Sequence, residues 1–140
     1  EPFLVTYGDG VSDVDLNALL TQHRTSGKTV TLTGIQPGGR FGVLDLDESG
    51  ETVNGFREKA KEDGGWINGG FMVMNPEVFD YLSPEESCIL ERTPLETLAH
   101  ESKLGIYKHP GFWQCMDTQR DKVKLEELWH SGQVPWRIWT

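Results

Sequence analysis

Apolar positions change their spacing several times along the chain, and each change predicts an element. Phe3-Leu4-Val5 is a short continuous apolar run and reads as a buried strand. It ends at Tyr7-Gly8-Asp9-Gly10, where no further strand is expected. Leu16, Leu19, Leu20 and His23 fall on one helical face, with Asp15 as N-cap and Gly27 as the stop. Residues 29–34 (TVTLTG) alternate and are β-branched, so they predict a strand. A turn-rich connection, QPGGRFG (36–42), leads to a strand over 41–47. Asp47-Glu48-Ser49-Gly50 turns it back into 53–58, an expected hairpin. After a polar loop, 66–74 (WINGGFMVM) is a long apolar strand whose internal glycines predict a bulge or a close approach.

In the second half, Asn75-Pro76 opens a short helix to residue 82, with Asn at the cap and Pro in the first turn. Thr93-Pro94-Leu95-Glu96 reads as a capping box that starts a helix to about Ser102. Residues 104–108 predict a strand, His109-Pro110-Gly111 a turn, and 112–114 a short apolar segment. A last helix spans 118–131, drawing apolar contacts from Val123, Leu125, Leu128 and Trp129 and stopping at Gly132. No repeat or linker divides the chain, so the expectation is one α/β domain over 1–140: a mixed, mostly parallel sheet flanked by helices, with an antiparallel β-hairpin insertion.

Charge narrows the partners. The 140 residues carry a formal net charge of −9, which argues against nucleic acid. No apolar run is long enough for a membrane span. Glu1-Pro2-Phe3 lacks the basic head of an export signal, so the expectation is a cytoplasmic protein whose Cys88 and Cys115 are free thiols. Neither cysteine lies in a metal-binding spacing, and histidines 23, 100, 109 and 130 show none either.

Four stretches could carry chemistry. Asp9, between two glycines at a strand end, is either a turn residue or a carboxylate offered to a hard cation such as Mg²⁺. Phe56-Arg57-Glu58-Lys59 is either a solvated charge pair or a sugar-phosphate contact, the acid for hydroxyls and the ammonium for phosphate. In GGWINGG (64–70), Asn68 could bond hydroxyls and the glycines admit a ligand; the alternative is a bulged core strand. In FWQCMDTQRD (112–121), Asp117 is either an N-cap or a second metal ligand. The phosphate-cradling patterns G-x-G-x-x-G and G-x-x-x-x-G-K-[ST] are absent.

YGDGVSDVD, GRFGVLDLD, FREK, DGGWINGGFMV and FWQCMDTQRDK occur in this order and cover essentially the whole chain. Together they resemble the sugar-1-phosphate nucleotidyltransferases, and within them the glucose-1-phosphate cytidylyltransferases. The resemblance implies a partial nucleotidyltransferase (Rossmann-like) fold and the reaction of CTP with glucose 1-phosphate to give CDP-glucose and pyrophosphate. It implies Mg²⁺ held by Asp9 and Asp117, Glu58 on sugar hydroxyls, Lys59 on the sugar phosphate, and Gly42, Asn68 and Gly69 along the sugar pocket. Ala60 and Cys115 stand where the family pattern has proline. The family's N-terminal glycine-rich nucleotide segment has no counterpart here, which implies a C-terminal portion that needs the other half for activity. It also implies a homo-oligomer and a sheet edge that must be paired or covered. The competing expectation is a non-catalytic sugar-phosphate-binding or oligomerising module derived from the same fold.

Overall fold

The computed structural model describes residues 1–36, 43–46, 48–57 and 65–139. The expected sites Gly42, Glu58 and Lys59 lie outside the described residues, as does most of the 36–42 connection. The central sheet runs β1-β6-β3-β7, built from β1 (Phe3–Val5), β6 (Ile67–Met74), β3 (Val30–Ile35) and β7 (Leu104–Lys108). Two small ribbons accompany it: β2 (Gly10–Ser12) with β8 (Trp113–Cys115), and the hairpin β4 (Val43–Leu46) with β5 (Val53–Arg57). Helices α1 (Leu16–Ser26), α2 (Thr93–His100) and α3 (Gln119–Ser131) complete the mixed α/β fold.

Strand directions correct one expectation. Among the described residues, only β3–β7 is parallel in the central sheet; β1–β6 and β3–β6 are antiparallel. Apolar alternation reports which face a residue takes but not which way the neighbouring strand runs. The hairpin forms as expected, with Leu44 opposite Phe56.

β3 alternates as its sequence predicts, yet every residue in it is buried. Val30 and Leu32 join Met72, Leu104, Ile106, Leu95 and Leu98 in the main core. Thr31 accounts for its burial by a 2.8 Å hydrogen bond with His23 of α1. Both faces of this strand are therefore covered. Helix α1 is bounded by the Asp15 cap, whose carboxylate accepts from the Ala18 N–H at 3.0 Å, and by Gly27 at φ 71°.

Two expected side-chain capping bonds do not form, although Asn75 does stand at the N-cap position with Pro after it. Asn75 precedes the 3₁₀ segment Pro76–Tyr81, but its amide bonds His23 and the Lys28 carbonyl instead. Thr93 is already the first helical residue of α2, and the Glu96 N–H that its hydroxyl would cap goes to the Arg92 carbonyl instead, as the Leu95 N–H goes to Leu90. Helix α3 matches its expected span; Leu125 and Leu128 are half-buried, Val123 is exposed, and Trp129, though exposed, stacks on Trp136 with ring centroids 6.5 Å apart.

β1 is not the buried strand its composition predicts. It pairs on one side only among the described residues, and Leu4 is 55% exposed. No helix among the described residues is long and apolar enough to cross a membrane, and neither Cys88 nor Cys115 is in a disulfide.

Candidate functional site

Strand β2 begins at Gly10, where the sequence led us to expect none. It pairs antiparallel with β8, Gly10 opposite Cys115 and Ser12 opposite Trp113. The ladder continues one step further, the Met116 N–H donating to the Asp9 carbonyl at 2.8 Å. This three-residue ribbon joins segments about a hundred positions apart and puts Asp9 and Asp117 side by side at its end, their carboxyl groups within hydrogen-bonding reach of each other. Both side chains are exposed.

Asp117 is not an N-cap. Thr118 takes that role for α3, with Asp121 as its reciprocal partner. The Asp121 carboxylate is buried and accepts from the N–H groups of Asp117 at 3.1 Å and Thr118 at 3.2 Å. Its other oxygen accepts from the Gln114 amide at 3.3 Å. The backbone that carries Asp117 is thus fixed from below, and the Asp117 side chain is not engaged in capping. Asp121→Ala leaves those two N–H groups without their acceptor and should cost about 1–2 kcal/mol of stability. Asp121→Asn, which keeps an acceptor oxygen, should cost less; denaturant unfolding of the two variants checks this.

The ribbon is docked on the central sheet at two places. Trp113 Nε1–H donates to the Gly69 carbonyl at 2.9 Å. Asp13 accepts from the Phe112 N–H at 2.8 Å and bonds buried His109 at 2.8 Å, and His109 in turn donates its backbone N–H to Gly34. The Gly69 carbonyl is available because of a bulge: between Leu32–Met72 and Gly34–Asn68, one β3 residue faces three of β6. Gly69 is buried, and a Cβ there would lie 3.1 Å from the Thr33 carbonyl and 3.4 Å from Trp113. Its lack of a side chain is used by the protein's own packing.

Beside Asp9 lies an open cleft of about 530 Å³ lined by Tyr7, Gly8, Asp9 and Glu91. The Tyr7 hydroxyl donates to Glu91 Oε2 at 2.7 Å and accepts from Asn68 Nδ2 at 3.3 Å. Asn68 Oδ1 accepts from the Gly70 N–H at 2.9 Å. Asn68, expected to meet hydroxyls, is therefore already engaged at both ends of its amide. Burial, then the bond to Glu91 and its negative charge, push the Tyr7 phenol well above its ordinary range, with Asp9 adding a smaller push and Asn68 opposing. Sequence reasoning missed Tyr7, Glu91 and Asp121. Only Asp121 left a local signal, the T-x-x-D spacing with Thr118.

The Asp9 carboxyl is raised from its ordinary value, first by the hydrogen bond with Asp117, then by partial burial and by the like charge of Asp117. The folded chain thus keeps a proton that the unfolded chain releases. Stability should fall as pH rises from the ordinary aspartate value through the raised one. Asp117→Asn should flatten that fall, as followed by denaturant unfolding at a series of acidic pH values. Two exposed carboxyl groups close enough to share a proton make an anionic oxygen pair suited to a hard divalent cation.

The sequence and the fold have known counterparts. The nucleotidyl transferase family profile matches residues 1–114. The chain is 51% identical over 99% of its length to glucose-1-phosphate cytidylyltransferase of Salmonella typhi, and 40% identical over 99% to a probable glucose-1-phosphate cytidylyltransferase of Bacillus subtilis. It covers 53% and 54% of those proteins, so it spans about half the length of the curated relatives it matches. The fold is shared with HddC from Yersinia pseudotuberculosis, solved in complex with GMP-PN, at TM-score 0.75 and 19% identity over 91% of this chain and 55% of that one. On the sequence profile and the relatives together, the chain belongs to the nucleotidyl transferase family.

Proposed function

We propose that this chain is one single-domain half of a glucose-1-phosphate cytidylyltransferase, carrying the metal and sugar-phosphate side of the active site. The observation that carries the reading is the meeting of Asp9 and Asp117 at the end of the β2–β8 ribbon. In the reaction, a phosphate oxygen of glucose 1-phosphate attacks the α-phosphorus of CTP. A new P–O bond forms, the α–β bridge breaks, and pyrophosphate leaves with the electron pair. Such transfer depends on positioning and charge compensation. Asp9 and Asp117 would hold Mg²⁺, which supplies charge compensation at the phosphates. Lys59 would hold the sugar phosphate as a point charge and Glu58 the sugar hydroxyls, with Gly42, Asn68 and Gly69 along the sugar pocket. The exposed position of the two aspartates and the 51% identity to the Salmonella typhi enzyme support this assignment. A cytoplasmic location and a homo-oligomer fit the same reading.

The test joins this chain to the unmatched half of the Salmonella typhi relative and follows pyrophosphate release. Turnover is expected with CTP and glucose 1-phosphate, giving CDP-glucose. An assembly that folds but turns over other nucleoside triphosphates and not CTP would overturn the cytidylyl assignment. The pairing of β1 on one side only among the described residues, and its exposed Leu4, favour a second reading, an oligomerising module. Self-association that blocks complementation would support that reading over the first.

A further inference from the structure

The Gly70 N–H, the Asn68 amide, the Tyr7 hydroxyl and the Glu91 carboxylate form one hydrogen-bonded chain with a single direction. Gly70 N–H donates to Asn68 Oδ1, so the amide nitrogen must face Tyr7. Tyr7 oxygen accepts from that nitrogen, so its own proton goes to Glu91. A carboxylate accepts only, so Glu91 fixes the end of the sequence. The three side chains come from the end of β1, the bulge of β6 and the segment before α2, separated by 61 and 84 positions. The Tyr7 ring also fills the space above Gly70, where a Cβ would lie 2.6 Å away. Tyr7 precedes Asp9 by two residues and lines the same cleft.

We propose that Glu91 is a positioning residue of this site: acting through Tyr7, it holds the Asn68 amide in one orientation and ties the strand end that carries Asp9 to the bulge that carries Asn68. Among the described residues Asn68 keeps one N–H beyond its bond to Tyr7, so a sugar phosphate held beside it would meet that N–H with an acceptor oxygen. This last step rests on the reading under Proposed function; the brace itself does not.

Two measurements test it. In thermal melts of this chain, Asn68→Asp sets an acceptor against the Tyr7 oxygen and should lower Tm by about 3–6 °C. Glu91→Gln supplies a donor that lets the chain run in reverse, so the pair Asn68→Asp with Glu91→Gln should recover at least half of that loss. In a Tyr7→Phe background the recovery should vanish, because the bridging hydroxyl is gone. Recovery that persists with Phe at position 7 would show simple charge repulsion between positions 68 and 91 and overturn the brace. In the turnover assay, Tyr7→Phe and Glu91→Ala should each raise KM for glucose 1-phosphate about tenfold and leave KM for CTP within about twofold. Glu91→Gln, which keeps an acceptor, should restore it to within about threefold. Unchanged KM values alongside normal cytidylyl transfer would overturn the positioning role. Absence of transfer in the unsubstituted assembly would instead count against the proposed function, leaving the brace to be decided by the melts.

Discussion

Asp9→Asn and Asp117→Asn are each expected to lower pyrophosphate release from CTP and glucose 1-phosphate by at least about 10³-fold in the complemented assembly. Each substitution keeps the size of the side chain and removes one of the two anionic oxygens that meet beyond the ribbon. The Met116–Asp9 backbone bond and the Asp121 hold on the Asp117 and Thr118 N–H groups involve no atom of either substituted side chain. The fold should therefore survive, and the loss should appear in kcat with Tm close to that of the parent. A loss that came only with unfolding would assign the pair a structural role. KM for glucose 1-phosphate should move far less than kcat, because removed charge compensation acts most where charge develops.

Gly70→Ala is expected to destabilise the chain by roughly 2–5 kcal/mol, more than a methyl added at a glycine with open space around it. Two costs combine. Gly70 sits at φ 92°, a conformation that costs an L residue about 1–2 kcal/mol. The added methyl would also lie 2.6 Å from the Tyr7 ring, and displacing a packed ring costs about 1–3 kcal/mol. Gly27→Ala separates them: Gly27 has φ 71° with nothing within 4 Å of the added carbon. That variant should lose only about 1 kcal/mol, the backbone share. Denaturant unfolding of both variants gives the comparison; equal losses would mean that Tyr7 moves aside freely and braces nothing.

The parts of the structure that were legible in the sequence are those set by neighbours along the chain. Asp15 and Gly27 bound α1 because capping and left-handed termination are decided within one turn. The double glycine of WINGGF announced the β6 bulge, since a strand spares side chains where something must approach closely. What the local pattern could not report was pairing at long range. The β2–β8 ribbon is only three residues wide, too short for periodicity, and its two strands lie about a hundred positions apart. Nor could composition show that β1 pairs on one side among the described residues, because a one-sided and a central strand can carry the same three apolar residues.

The candidate site divides along the same line. Asp9 and Asp117 were named from their settings and from a family likeness, and the fold brings them together. The N-cap alternative for Asp117 fails by one position, because Thr118 with Asp121 three residues on makes the stronger box. Tyr7 and Glu91 carried no signal, since a hydroxyl and a carboxylate 84 positions apart declare nothing until the strand end and the segment before α2 are folded together. The same four-residue pattern that worked at Thr118 misled at Thr93, where the carbonyls of Leu90 and Arg92 had already taken the N–H groups that a cap would serve.

Combining Asp9→Asn with Asp117→Asn in one assembly is the most direct measurement of whether the two carboxylates act as a unit. If they serve one cation together, the double variant should release pyrophosphate no more than about threefold more slowly than the slower single variant. Losses that multiply, or a single variant that retains more than about a third of the parent rate, would contradict a shared site.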